Sequence, residues 1–215
     1  MALLSASLVT PTLPLTVNLT TEGTADWRRW GRSTASSDDR KALVPAQVGT
    51  LTALLAITDR LTGNTTDWPA HAFSDGTPTT SAAASPAGIF FADAGNGFEF
   101  DVSAGTTRRT LRVYVGAFNA SVKFELSLSS STEDPVDLYE VTLTATTPAL
   151  ARVLTATYYT DAPGEALTVR GTLLSGSGHI AIQAATLQAD DLVPTNLTTT
   201  GIGATAATFG WSAPE

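Results

Sequence analysis

The chain contains no cysteine. Disulfides, thiolate nucleophiles and cysteine-bound metals are therefore excluded, and folding does not depend on an oxidising compartment. Histidine is almost as scarce, with only His71 and His179. Neither stands in an HExxH spacing and no Gly-x-Ser-x-Gly elbow occurs, so the motifs of a zinc protease or an α/β-hydrolase triad are missing. Basic residues are few as well: 12 Lys+Arg stand against 20 Asp+Glu, for a formal net charge of -8. With no basic stripe to neutralise phosphates, nucleic acid and anionic membrane surfaces are poor partners. No apolar run approaches the roughly 20 residues that span a bilayer as a helix. The first residues, Met1 to Pro14, lack a basic start and carry an apolar run broken by Ser, Thr and Pro. They read as mature chain and not as a secretory leader, and as a candidate N-terminal arm. No phosphate-cradling loop is present; Gly95-Asn96-Gly97 reads as a turn.

What remains is 43% hydrophobic and only 15% charged. A chain of 215 residues with that composition can bury a sizeable core. Thr-rich, Gly-punctuated segments favour strands and turns over helices. Period-two alternation runs through Leu13–Leu19, Gly97–Val102, Thr110–Val115 and Val122–Leu128. It continues through Tyr139–Ala145, Val153–Tyr159, Ala166–Leu174 and His179–Leu187. Gly88–Phe91 reads as a further strand. Leu51–Leu61 would also suit a short helix, but its Thr and Ile and the turn signals around it favour a strand. Thr24 could cap a short helical turn carrying Trp27 and Trp30, and Arg32–Lys41 reads as a polar loop. Gly63–Pro86 reads as a long loop with short strands embedded, for example near His71–Ser74. Turns are expected at Asp134-Pro135, Thr147-Pro148, Asp161–Gly164 and Ser175–Gly178. Many strands with one buried face predict an all-β, antiparallel β-sandwich, with a jelly roll as the preferred topology. The expected division is an arm over 1–14, a sandwich over 15–190, and a C-terminal segment over 191–215.

Two resemblances add to this reading. The motifs TTEGTADWRRWGR (Thr20–Arg32), FSDGTPTTSA (Phe73–Ala82) and GNGFEFDVSAGTTRRTLRVYVGAF (Gly95–Phe118) occur in order, followed by ALTVRGTL (Ala166–Leu173) and IAIQAATLQ (Ile180–Gln188). This set resembles a bacterial β-sandwich module of secreted surface proteins and glycan-active enzymes, similar to carbohydrate-binding, galactose-binding-like jelly rolls. Pro194–Pro214 resembles the start of a fibronectin type III domain, which implies that Trp211 lies on its second strand. Only about the first two strands of such a domain are covered, so strand pairing with the sandwich or with a neighbour is expected.

Sugars present apolar C–H faces that stack on aromatic rings, and hydroxyl rims that bond to polar groups. Trp27, Trp30 and Trp68, with Asp26 and Asp75 nearby in sequence, are the glycan-binding candidates. Core packing suits Trp27 and Trp30 better than a platform, with Asp-Trp-x-x-Trp-Gly as a folding staple, and Trp68 suits either, since large aromatics are mostly buried. Of Tyr158 and Tyr159, neighbours on one strand, one should face out. Asp93, Asn96 and Asp101 could give oxygen ligands to a structural calcium ion. Paired carboxylates for glycoside hydrolysis would come from Glu22, Asp26, Asp75, Glu99 and Asp101, although solvated surface roles suit them better. The expectation is a non-catalytic structural or assembly protein of a virion or extracellular surface, such as a tail, fibre or capsid-decorating component. Its partners would be other subunits, in a homo-oligomer or a larger assembly, with cell-surface glycan as a second partner. The alternative is a carbohydrate-binding module of a secreted glycan-active protein.

Overall fold

A computed structural model describes residues 2–129, 138–146, 149–189, 198–203 and 206–210. The strands in chain order are β1 (Ala2–Val9), β2 (Thr16–Asn18), β3 (Asp26–Trp30), β4 (Asp38–Lys41), β5 (Thr52–Ala53) and β6 (Asp59–Leu61). They continue with β7 (Ala70–Phe73), β8 (Gly76–Thr77), β9 (Ala82–Ser85), β10 (Gly88–Ala92), β11 (Gly97–Ser103) and β12 (Arg109–Leu128). The last are β13 (Leu138–Ala145), β14 (Leu150–Tyr159), β15 (Ala166–Ala189), β16 (Thr198–Gly203) and β17 (Ala206–Gly210). One short helix, α1 (Leu19–Glu22), follows β2; the Asn18 side chain caps it by accepting from the Thr20 N–H at 3.0 Å.

The long strands β12 and β15 form the spine of an antiparallel sandwich, paired from Arg109↔Ala189 to Leu128↔Leu167. The first half of β12 is flanked by β14 and then β1, the second half by β13. On its far side, β15 meets β11, β10 and β3 in succession. The ring of Trp30, on β3, lies 5.3 Å from that of Phe100, on β11. Their pairing positions on β15 are some 14 residues apart, roughly 46 Å along a straight strand. The spine therefore folds over, and its two halves close on one core that includes Phe91, Phe98, Phe124, Leu111, Val113 and Ile182.

The fold-over has a local cause in the sequence. Along β12 the positions in the main core are Leu111, Val113, Val115 and Ala117, then Ala120, Val122, Phe124, Leu126 and Leu128. The phase changes at Asn119, which takes φ +45° in a bulge between Phe118 and Ala120. One extra residue keeps both halves facing inward. Opposite it, a Cβ on Gly178 would fall 1.7 Å from the Phe118 carbonyl oxygen, so the bend closes only with glycine there. The Ser175–Gly178 run, expected as a turn, is this bend within one continuous strand. The pairs expected as Thr110–Val115 plus Val122–Leu128, and Ala166–Leu174 plus His179–Leu187, are accordingly two strands and not four.

Other expectations are corrected. Residues 26–30 form strand β3, not a helical turn, and the region read as a polar loop carries β4. The N-terminal segment expected as an arm runs along β14 as an edge strand, because Ala6 and Leu8 have core to cover. The embedded strands near His71 are β7 and β9, which with β2 form a small sheet; β2 and β7 are parallel. β16 and β17 form a hairpin with each other. The turns expected at 134–135 and 147–148, and Trp211 of the fibronectin-like segment, lie outside the described residues.

Candidate functional site

The three tryptophans proposed as a sugar platform are core residues. Their relative exposures are 0% for Trp27, 3% for Trp30 and 3% for Trp68. In a strand, positions three apart point to opposite faces. Trp27 therefore packs with Phe73 and Tyr114 under the small sheet, while Trp30 enters the main core. Asp26 is equally internal: its carboxylate accepts the N–H groups of Trp27 (2.8 Å), Gln47 (2.7 Å) and Val48 (2.9 Å). Asp75 accepts from Thr20 Oγ1 (2.6 Å), Trp27 Nε1 (2.9 Å) and Lys41 Nζ (2.7 Å). Burial draws its carboxyl upward, but these donors outweigh that and hold it below the ordinary carboxylate range. Both aspartates tie loops to strands. The Asp-Trp-x-x-Trp-Gly run is thus a folding staple.

The calcium set does not come together either. Asn96 Oδ1 already accepts the N–H groups of Leu55 (3.1 Å), Ala56 (3.3 Å) and Gly97 (2.8 Å). Its amide donates to the carbonyls of Ala56 and Ala92. An oxygen filled by three donors has no room for a cation. Asp93 is exposed in the adjoining turn, and Asp101, on β11, accepts from Thr168 Oγ1 at 2.6 Å. Among the described residues, no group of three His, Asp or Glu could hold a metal. The remaining carboxylates considered for hydrolysis are also engaged. Glu22 accepts from Tyr114 Oη and Thr186 Oγ1, each at 2.7 Å, and Glu99 pairs with Arg170. Tyr158 is buried with its hydroxyl donating to the Ser103 carbonyl, leaving Tyr159 as the outward member.

A different aromatic group does reach the surface. It lies on the outer face of the sheet formed by β10, β15, β12 and β14. Pairing aligns Phe90 with Ala181, Ala181 with Gly116, and Gly116 with Ala151 in one row across the strands. The small residues of this row form a trough that the Trp68 ring fills; a Cβ on Gly116 would lie 2.6 Å from that ring. In the next row, His179 is paired with Phe118. Its imidazole lies between Phe90, tilted at 37° with centroids 4.6 Å apart, and Phe118, stacked at 5.5 Å. All three side chains are half-buried. Burial lowers the His179 pKa, which keeps the stack uncharged at neutral pH.

Phe118, His179, Trp68, Leu61, Ala149 and Asp67 line an open depression of about 260 Å³ beside this stack. Its polar edge is Asp67, which the Asn64 side chain holds in place. Asn64 Oδ1 accepts the Thr66 and Asp67 N–H groups, each at 3.0 Å, and Asn64 Nδ2 donates to Asp67 Oδ2 at 2.7 Å. The depression therefore combines an aromatic wall with a carboxylate edge. This is the chemistry sought from Trp27 and Trp30, provided by other residues. Only Trp68, of the predicted set, borders it. The register that sets Phe90 beside His179 and Phe118 has no signal in the sequence.

No family model matches the chain, and no curated protein matches it. Among solved structures, it is similar to a family 61 carbohydrate-binding module in complex with β-1,4-galactotriose (10% identity, TM-score 0.39, covering 66% of this chain and 88% of that one). It is also similar to the CBM22-1–GH10 modules of Clostridium thermocellum xylanase 10B complexed with xylohexaose (17% identity, TM-score 0.37, covering 83% and 28%). A third is the enzymatically active domain of bacteriophage CBA120 tailspike protein 4 (10% identity, TM-score 0.36, covering 66% and 20%). The sugars belong to those proteins.

Proposed function

We propose that this chain is a non-catalytic glycan-binding module of a virion or extracellular surface. A sugar ring stacks along the Phe90–His179–Phe118 ladder while its hydroxyls meet the Asp67 carboxylate. The observation that carries this reading is a half-exposed aromatic stack, held by cross-strand register, beside a depression with a polar rim. Rings preorganised by strands lose little entropy on binding and present a flat apolar face. The engagement of Asp26, Asp75 and Glu22 in structural hydrogen bonds supports binding over hydrolysis. The test is sedimentation with bacterial cells and a panel of insoluble polysaccharides. Phe118→Ala should weaken binding about tenfold or more, as truncation of an interface aromatic does. Unchanged binding by that variant would refute the site.

The assembly reading is favoured by a separate observation. β1 ends the main sheet, and its outer edge has no pairing strand among the described residues. A module that joins other subunits of a virion or cell surface through this edge and displays the aromatic ladder would serve both roles.

A further inference from the structure

The outer edge of β1 is unguarded. Its residues, ALLSASLV, include no charge and no proline, the devices that normally keep an open edge from pairing. Its one register irregularity lies at the start of the strand, between Leu3 and Ser5. β13, which pairs only with β12 among the described residues, differs in carrying Glu140, ion-paired to Lys123. The β1 edge is also self-complementary. Leu4 to Leu8 reads Leu-Ser-Ala-Ser-Leu in either direction. An antiparallel copy related by a two-fold axis at Ala6 sets Ala6 against Ala6 and Ser5 against Ser7, clear of the irregularity at Leu4. Because side chains alternate with period two, this register keeps each face continuous. Ala6 and Leu8, half-buried against the core, extend the apolar layer towards the second molecule, while the exposed Ser5 and Ser7 line the other face.

We propose that a second copy of this chain docks on β1 in this register, joining two sandwiches through one continuous sheet. The dimer presents two aromatic depressions, so glycan binding to a multivalent surface gains from effective concentration.

Sedimentation-equilibrium measurements on the whole chain and two double variants test this. The wild type should self-associate. Ser5→Lys/Ser7→Lys sets two like-charged pairs directly opposite each other and should weaken the dimer about tenfold or more. Ser5→Glu/Ser7→Lys sets Glu opposite Lys twice and should restore association to within about threefold of wild type, with added salt sensitivity. Both changes lie on exposed positions, and matching circular dichroism spectra establish that each variant is folded. A wild type that stays monomeric up to about 1 mM would overturn the proposal. So would a lysine variant that dimerises normally, or equal weakening in both variants.

Discussion

His71 offers a quantitative test of how the small sheet is seated on the sandwich. Its imidazole is fully buried, meets the Tyr114 ring edge-on at 4.6 Å, and has no hydrogen-bond partner on either nitrogen. Burial, with the nearby Arg29 guanidinium second, pushes its pKa down from 6.5 to about 3. The unfolded chain therefore takes up this proton first as pH falls. The stability held by neutral His71 is complete above about pH 6.5 and is lost progressively down to about pH 3. The loss amounts to about 2 kcal/mol between pH 7.5 and pH 5, and about 4 kcal/mol by pH 3. Against a total stability of about 5–15 kcal/mol, this is a large fraction. Urea unfolding across pH 7.5 to 5 measures it in a window where most carboxylates stay ionised. His179 is shifted in the same direction, so the diagnostic comparison is with His71→Leu. That variant should lose about 2 kcal/mol less than wild type over the same interval. Identical pH profiles for the two proteins would refute the assignment of a neutral, desolvated His71.

Asp26→Ala should cost at least about 3 kcal/mol in urea unfolding, because three backbone N–H donors lose a buried carboxylate. Gly116→Val should cost about 1–3 kcal/mol by overpacking, since a Cβ would fall 2.6 Å from both the Trp68 ring and the Leu150 carbonyl oxygen. It should also shift Trp68 fluorescence and weaken glycan binding. Asn119→Val should destabilise by about 1–3 kcal/mol in thermal unfolding, while Asn119→Gly should be tolerated, because the bulge needs φ +45°.

The sandwich was legible because burial on one face imposes period two, and Phe98-x-Phe100-x-Val102 and Val122-x-Phe124-x-Leu126 each keep it. The continuity of β12 and β15 was not. Glycines and a serine-rich run at 175–178 carry the same composition in a turn as in a fold-over bend, and the distinction rests on tertiary closure. The staple residues misled for a related reason. Trp27 and Trp30 read as core residues or a sugar platform on a short helical turn, but in a strand the same spacing divides them between two cores. Asn96 has the composition of a metal ligand, yet its oxygen is spent on three N–H groups from 40 residues away and from its own turn. The Phe90–His179–Phe118 ladder depends on register between strands distant in the chain, which no local pattern encodes.

In the proposed function this ladder, and not the buried tryptophans, is the binding face. The most direct measurement is co-sedimentation of wild type, His179→Ala and Phe118→Ala, all verified as folded, with the panel of polysaccharides and bacterial cells. Wild type should bind at least one surface, and both variants should lose about tenfold or more in affinity for it. Undiminished binding by folded variants, or binding of the wild type to none of the panel, would contradict that function.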